Sequence, residues 1–475
     1  MTAPVVERVG ARGWRSRVAA AVDAGARFAA AWATPEGGGL AWRVLLTEPG
    51  GAGRVLTCEA PGGAVDTIVD VVEAAGWDER EAHDLYGLAP DGHDPLRPLV
   101  AHPDDPAAWT VPVSGEGTHQ VVVGPIHAGV IESGHFRFHV VGERILATDL
   151  RLFHKHRGLE RAAEGLEPEA ALAVAQRACA ACTVANGIAY AQAIEQAHGL
   201  RPDRDLRRSR TALAELERLY NHLSDIGAVC SGVGLAPGAM AFAAFKDRTQ
   251  RLIAELAGHR FLFGTVAVGH GRFAVSRERA ERARATLAEL RADVAGAWRD
   301  LEFAVPLQAR LHGIGVLARD DALRLGAVGP AARASGVRHD VRTESPRLWY
   351  DGFAPARPAE ERGDVAARVK VRAAELEDCF GALDDLLSGP LPAGAAAPRG
   401  PAGPPAAIGF GRVESPRGAT TCAVELGAGR VRRLRLRTAS YANWPALVWA
   451  TRNELLPELP LINKSFELCY ACVDR

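Results

Sequence analysis

The period of apolar and polar positions changes several times along the chain. In the first hundred residues, RFAAAWATPEGGGLAWRVLLT (27–47) reads as strand, Gly-rich turn and strand, and RVLTCEA (54–60) adds a third strand. Ile68, Val71, Val72 and Ala75 recur at helical spacing, which predicts a helix ending at Gly76. WDEREAHDLYGLAPDGHDPLRPL (77–99) is dense in charge, Gly and Pro and predicts a surface loop. Residues 102–117, with Pro103, Pro106 and Pro112, read as a linker, so a boundary is expected near 115.

Beyond it, VVVGPIH and HFRFHVVGERILATDLRLF alternate apolar and polar residues as paired strands do. Pro168 suits a first helical turn, and Ala-rich sequence runs from it to a stop at Gly199. A second helix is predicted over 203–227, with Leu213, Leu216, Tyr220, Leu223 and Ile226 on one face. Further helical patterns cover 245–262, 277–301 and 363–387, together a bundle. Residues 391–411 form a Pro/Gly-rich connector, and VRRLRLRTAS belongs to a closing β/α stretch. The expected fold is therefore α+β: a small α/β module over 1–115, then a mainly helical-bundle domain over 116–475 with flanking β elements. There is no internal repeat.

At 475 residues the chain suits two or three domains, and 48% apolar with 24% charged residues makes it globular. Lys plus Arg, 56, balances Asp plus Glu, 57, which argues against a nucleic-acid partner. No run of eighteen apolar residues is free of charge, so no membrane span is expected; the nearest candidate, 17–33, is interrupted by Asp23 and Arg27. The start, MTAPVVERVG, lacks a basic-then-apolar signal pattern, so the expected compartment is the cytoplasm.

Eight cysteines are too few for a disulfide framework. Cys58, Cys230, Cys379 and Cys422 are single and read as core residues, whereas Cys179/Cys182 and Cys469/Cys472 are CxxC pairs. Four thiolates suit a soft metal. Zinc ribbons separate their pairs by roughly 15–20 residues, but 286 lie between Cys182 and Cys469. From spacing alone, structural zinc, a redox or catalytic metal and no metal all stay open. GHGRF (269–273) follows no strand-then-helix phosphate pattern and no GxGxxG or Walker-type loop is present, so no nucleotide site is expected.

Several segments then become recognisable. GPIHAGVIESGHFRFHVVGERI, HRGLER, RACAACTVANGIAYAQAIE, LAELERLYNHLSDIGAV, VESPRGATTCAVELG and RTASYANWPAL…LPLINKSFELCYACVDR occur in this order. The chain resembles the large subunit of group 4, membrane-associated [NiFe] hydrogenases of the formate-hydrogenlyase type, and their relative, the 49 kDa subunit of respiratory complex I. Its first module, with WDEREAHDLYGL and GHDPLRPL, is similar to the complex I 30 kDa subunit.

That resemblance implies a Ni–Fe centre, with CO and cyanide on the iron, held by Cys179, Cys182, Cys469 and Cys472. Glu160 matches the RGxE carboxylate that relays protons, with an affinity raised by burial near a thiolate. Arg417 matches the arginine facing the diatomic ligands. His127 and His135 lie where complex I relatives hold quinone, and His154 and His156 flank the RGxE motif. The partners implied are an iron–sulfur small subunit carrying a [4Fe–4S] cluster and integral membrane subunits, with this chain peripheral on the inner face of the cell membrane. The sequence departs from the hydrogenase pattern at Ala180 for Gly, Asn186 for His, and Glu467–Leu468 where Asp-Pro is usual. It ends at Arg475 without the tail that hydrogenase precursors carry, as expected of a mature form or of one needing no processing. The rival expectations are a complex-I-like electron-transfer subunit with a re-purposed metal site, and a scaffold stabilised by zinc.

Overall fold

The computed structural model describes residues 3–60, 62–127, 131–355, 361–398 and 407–475. Strands β1 (Val5–Val9), β2 (Arg27–Glu36), β3 (Gly39–Thr47) and β4 (Gly53–Ala60) form a sheet of order β1-β4-β3-β2, in which only β1 and β4 run parallel. The period-two pattern of these strands serves two cores. Ala31, Ala33, Trp42, Val44, Leu46 and Leu56 pack with Trp14 and Val18 of helix α1 (Trp14–Asp23). The alternate residues Ala30, Trp32, Leu45 and Val55 pack on Ile408, Phe410 and Ala423 from the far end of the chain. A sheet buried on both faces cannot stand apart from the rest of the protein.

The helix expected over 68–76 is absent and the loop expected over 77–99 begins as a helix, α2 (Gly76–Tyr86). Glu79 is the reason for the first difference: its carboxylate accepts the Ile68 N–H at 2.8 Å and the Thr67 hydroxyl at 2.7 Å, which fixes the preceding segment as turns. The second arises because the charges of WDERE are not solvated. Asp78, Glu79 and Glu81 are all buried. Asp78 receives Arg435 at 2.7 Å and Arg437 at 3.1 Å, and Glu81 receives Arg435 at 2.7 Å and Arg475 at 3.0 Å. Burial alone would raise the Glu81 carboxyl, but Arg435 and Arg475 overcome it and hold it at about 2.

The strand pair expected after Gln120 is a three-stranded antiparallel sheet, β5 (Thr118–Val123), β6 (His135–Val141) and β7 (Arg144–Arg151). A short helix α3 (Leu159–Ala162) follows. The Ala-rich helix expected from Pro168 to Gly199 is broken into α4 (Pro168–Gln176) and α5 (Thr183–Ala197), with a bend of 118° where the first CxxC lies. The Thr183 hydroxyl donates to the Gln176 carbonyl at 2.9 Å, occupying an acceptor freed at the break.

Helix α5 is buried at every residue. It lies against β8 (Ile408–Ser415), where a Cβ at Gly409 or Gly411 would come within 2.1 Å of Ala193 O or 1.9 Å of Ala189 O, so only glycine permits the approach. Helix α6 (Arg204–Gly232) packs on α5 and is flanked by α7 (Ala236–Ala257), with α8 (Arg277–Glu302) against α7 and α9 (Val365–Leu386) against both α6 and α8. Asp203, Ser276 and Asp364 cap α6, α8 and α9 through side-chain oxygens. Helix α7 starts and ends before the expected 245–262, set by Pro237 in its first turn and left-handed Gly258 after its last. The connector expected over 391–411 is shorter, because β8 begins at Ile408; residues 399–406 lie outside the described ones. Strands β9 (Gly418–Gly427) and β10 (Arg430–Arg437) complete the closing sheet, followed by α10 (Ala439–Ala450) and α11 (Leu459–Phe466). The fold is α+β, as expected. Among the described residues no single helix is long and apolar enough to cross a membrane.

Asp78→Ala leaves Arg435 and Arg437 buried without a main partner and should cost about 3–5 kcal/mol. Urea unfolding measures this; a loss below about 1 kcal/mol would mean that the ion cluster is not part of what closes the interface.

Candidate metal centre

The four cysteines of the two CxxC motifs meet. Their Sγ atoms all lie within 4.8 Å of one another, three of the residues buried and Cys469 half-buried. Cys179 sits in extended backbone at the entry to a 3-10 turn, and Cys182 immediately precedes α5, where the positive end of the helix favours a thiolate. The second pair follows α11, whose last turn is ended by Glu467 in a left-handed conformation, φ 49°. Hydrogen bonds from Cys179, Cys182 and Cys472 hold Cys469 well below the usual thiol range, while hydrogen bonds within the same cluster push Cys182 and Cys472 up. A cation favours the ionised form of thiols gathered this closely, and a soft donor set of this kind fits a soft metal.

Arg157 ties the two motifs together. Its guanidinium donates to Arg177 O at 2.9 Å and Ala178 O at 2.7 Å, just before Cys179, and to Ala471 O at 2.7 Å, between the second pair. Its backbone N–H donates to Asp474 O at 2.9 Å. This residue lies in HRGLER, and the only signal of its role in the sequence was its place in that motif. Asn221 was also missed: it donates to Ala181 O, inside the first CxxC, at 2.9 Å and accepts from Arg417 Nη1.

Arg417, expected at the site, is there. It is buried, donates through Nε to Glu467 O at 2.9 Å and through Nη2 to Asp225 at 3.2 Å. Burial would lower its basicity, but the charges of Asp225, Cys469 and Cys182 raise it well above the ordinary value, so it stays a cation beside the thiols.

Glu160 is buried too, but its electrostatics differ from the expectation. Its oxygens accept the Arg475 Nε at 2.8 Å, the Leu436 N–H at 2.8 Å and Arg433 Nη1 at 3.2 Å. Burial pushes the carboxyl up, yet Arg475, Arg435 and Arg433 outweigh it and the group is lowered, not raised. No single sequence motif could show three arginines from two distant segments converging on it.

The four histidines do not gather around the thiols as a set. His127 bonds the Gly134 carbonyl at 2.7 Å, His135 packs edge-on against Trp109, and His154 packs against His102. His156 lines a cavity with Glu160.

The departures from the hydrogenase pattern have local explanations. Ala180 lies in the 3-10 turn, which alanine adopts without strain. Leu468 is buried in the apolar cluster of Trp444, Phe466 and Tyr470, so side-chain packing anchors the backbone where proline would stiffen it. Burial and the Asp225 charge push the neighbouring Glu467 carboxyl up to about 7. Asn186, one turn after Cys182 on α5, is fully buried and neither end of its amide has a partner. An unpartnered buried amide costs about 1–3 kcal/mol.

Residues 233–397 match the family described as the respiratory-chain NADH dehydrogenase 49 kDa subunit, and residues 49–114 match the 30 kDa subunit of the same enzyme. Over 438 residues the chain is 33% identical to formate hydrogenlyase subunit 5 of Escherichia coli, covering 86% of this chain and 76% of that one. It is 31% identical to hydrogenase-4 component G of the same organism, over 86% of this chain and 75% of the relative. It is 30% identical to an NADH-quinone oxidoreductase subunit of Salinispora arenicola, over 76% of this chain and 94% of the relative. Among solved structures, a chain of the membrane-bound sulfane sulfur reductase, an archaeal respiratory membrane complex, superposes with a TM-score of 0.69 at 25% identity, over 77% of this chain and all of that one.

Arg157→Ala removes the clamp between the two ligand loops and should weaken metal retention about 10–100-fold. Metal analysis after dialysis against a chelator checks this. Arg157→Lys should fail to rescue, because an ammonium cannot span carbonyls on both loops as a planar fork does.

Proposed function

Since the chain belongs to the family of group 4 [NiFe] hydrogenase large subunits and their complex I 49 kDa relatives, we propose that it is the catalytic large subunit of a membrane-associated [NiFe] hydrogenase. At the coarser level, it is an oxidoreductase subunit of the hydrogenase and NADH-quinone oxidoreductase superfamily, and its relatives include subunits of membrane-bound complexes. The proposal adds the reaction: reversible oxidation of H2 to two protons and two electrons, the electrons leaving through an iron–sulfur partner subunit with a [4Fe–4S] cluster. It also adds the place, the inner face of the membrane beside integral membrane subunits. In it, residues 1–115 are a 30 kDa-like module and residues 116–475 form the metal-bearing domain of the large-subunit type.

The observation that carries this reading is the convergence of four thiols from two motifs with 286 residues between them. Cys179, Cys182, Cys469 and Cys472 would hold a Ni–Fe centre. That centre, with CO and cyanide on its iron, would supply polarisation of H2 and acceptance of its electrons. The chain's own residues do the rest. Arg417 stays protonated, and each of its terminal nitrogens keeps one N–H beyond the bonds to Asn221 and Asp225. Those free N–H groups are available to an anionic or dipolar ligand beside Cys469 and Cys182. Glu160, held as a carboxylate by its arginines, serves as an acceptor of protons on their way out. The amide of Asn186 offers both a donor and an acceptor next to the first ligand pair without the charge that a histidine could gain.

The 30% identity to an NADH-quinone oxidoreductase subunit, with Asn186 and Leu468 at motif positions, favours a second reading: electron transfer to a quinone-like acceptor through a re-purposed site. Metal analysis of the complex, purified anaerobically after co-expression with maturation proteins, separates the two. The hydrogenase reading predicts nickel and iron equimolar with the chain, infrared bands of CO and cyanide, and loss of all of these in Cys179→Ser. Zinc or no metal in the wild type, or full metal in that variant, would contradict it.

A further inference from the structure

Protons formed in a buried centre need a way to water, and Glu160 faces open space at the interface between the N-terminal segment and the large domain. A cavity of about 490 Å³ opens there, lined by Glu81, Leu85 and Tyr86 on one side and His156, Glu160 and Arg475 on the other. It is large enough for water, and Glu81, Glu160 and Arg475 give its otherwise largely apolar wall the polar partners that water requires.

The two carboxylates in its wall are coupled by shared guanidiniums. Arg475 Nη2 donates to both oxygens of Glu81 at 3.0 Å while its Nε donates to Glu160 at 2.8 Å. Arg435 Nη1 donates to Glu81 at 2.7 Å and lies 3.6 Å from Glu160. Arg433 binds Glu160 from β10 at 3.2 Å and lies 3.9 Å from Glu164, and Arg437 is occupied by Asp78. The Tyr86 ring lies under Arg433, the Tyr441 ring under Arg435 and Arg475, and His156 and the buried Cys422 thiol complete the surroundings. Three buried carboxylates (Asp78, Glu81 and Glu160) therefore face four guanidiniums. Each negative charge removed from this set tightens the arginines' hold on those that remain.

We propose that Glu81 is a positioning residue for Glu160: by sharing Arg475 and Arg435 it leaves Glu160 able to take up protons at the cavity wall, where they pass to water. This rests on the hydrogenase reading above. For each H2 oxidised, two electrons reduce the iron–sulfur partner, and two protons leave in turn, each bonding to a Glu160 oxygen and then to a cavity water as hydronium, so that Glu160 ends ionised. The N-terminal segment is in this account part of the proton outlet, and the chain that carries the ligands is incomplete without it.

Infrared spectroscopy of the full chain in its complex tests the coupling without relying on turnover. The carboxylate bands of Glu160 are those lost in Glu160→Gln. They should be displaced in Glu81→Gln and return toward the wild-type position in Glu81→Asp, which keeps the charge; bands that stay in place overturn the role of Glu81. Isotope exchange between H2 and D2O at neutral pH should fall about tenfold or more in Glu81→Gln, within the range for a misplaced proton acceptor, and its acid limb should move to lower pH. A merely structural role would lower the yield of loaded complex but leave that profile in place. Should Glu81→Gln not fold, Leu85→Trp fills the cavity from an exposed position without changing any charge. It should slow exchange, and unchanged exchange overturns the outlet. Bands displaced in Glu81→Gln while the wild type has neither nickel nor exchange would refute the hydrogenase reading alone, whereas bands fixed in Glu81→Gln while the wild type is nickel-loaded and active would refute this proposal alone.

Discussion

Two of the four clustered cysteines lie on an arm with no regular structure of its own, and buried arginines fix that arm in place. Beyond α11 the last nine residues form neither helix nor strand, yet Cys472, Val473, Asp474 and Arg475 are buried. Arg157 grips the arm's carbonyls, Arg417 the carbonyl of Glu467 at its root, and Arg475 anchors its end between Glu81 and Glu160. Hydrogen bonds from charged donors are worth about 1.5–3 kcal/mol each. Their geometric role is larger, since four thiols converge only if both loops are held in one register.

The same guanidiniums join the parts of the protein. Asp78 and Glu81 on α2 pair with Arg435 and Arg437 on β10 and with Arg475 on the ligand arm. Trp32 and Thr34 of the first sheet donate to Glu425 on β9 at 2.7 and 2.6 Å. Together with the apolar contact of Ala30, Trp32 and Val55 with Phe410, these make the N-terminal sheet a wall of the large domain. A buried ion cluster contributes less net stability than its Coulomb energy implies, because both partners lose hydration. Its value here is register: Glu81 and Glu160 together hold Arg475, and with it the end of the cysteine-bearing arm, in one place.

Much of this was legible in the sequence, and the failures share a cause. Alternation located β2, β3, β4, β6 and β7, and helical periodicity located α6, α8 and α9, because those elements bury one face or one stripe. The CxxC pairs announced themselves through spacing. Charge is no sign of solvent in WDERE, which is a buried helix start, and burial is no sign of a raised carboxyl in Glu160, which three arginines lower. Arg157, Asn221, Asp225 and Arg475 act through partners up to several hundred residues away, and local pattern carries no trace of such pairings. The break between α4 and α5 was hidden by continuous alanine, which favours helix on both sides of the turn that carries Cys179 and Cys182.

The central claim is that all four cysteines form one thiolate site for nickel. Nickel-edge X-ray absorption of the anaerobically purified complex tests it most directly. The account predicts a first shell made of sulfur, as the four gathered Sγ atoms require, with an iron scatterer beyond it. A nickel shell of nitrogen and oxygen, or a sulfur shell unchanged when Cys469 and Cys472 are both replaced by serine, would contradict it.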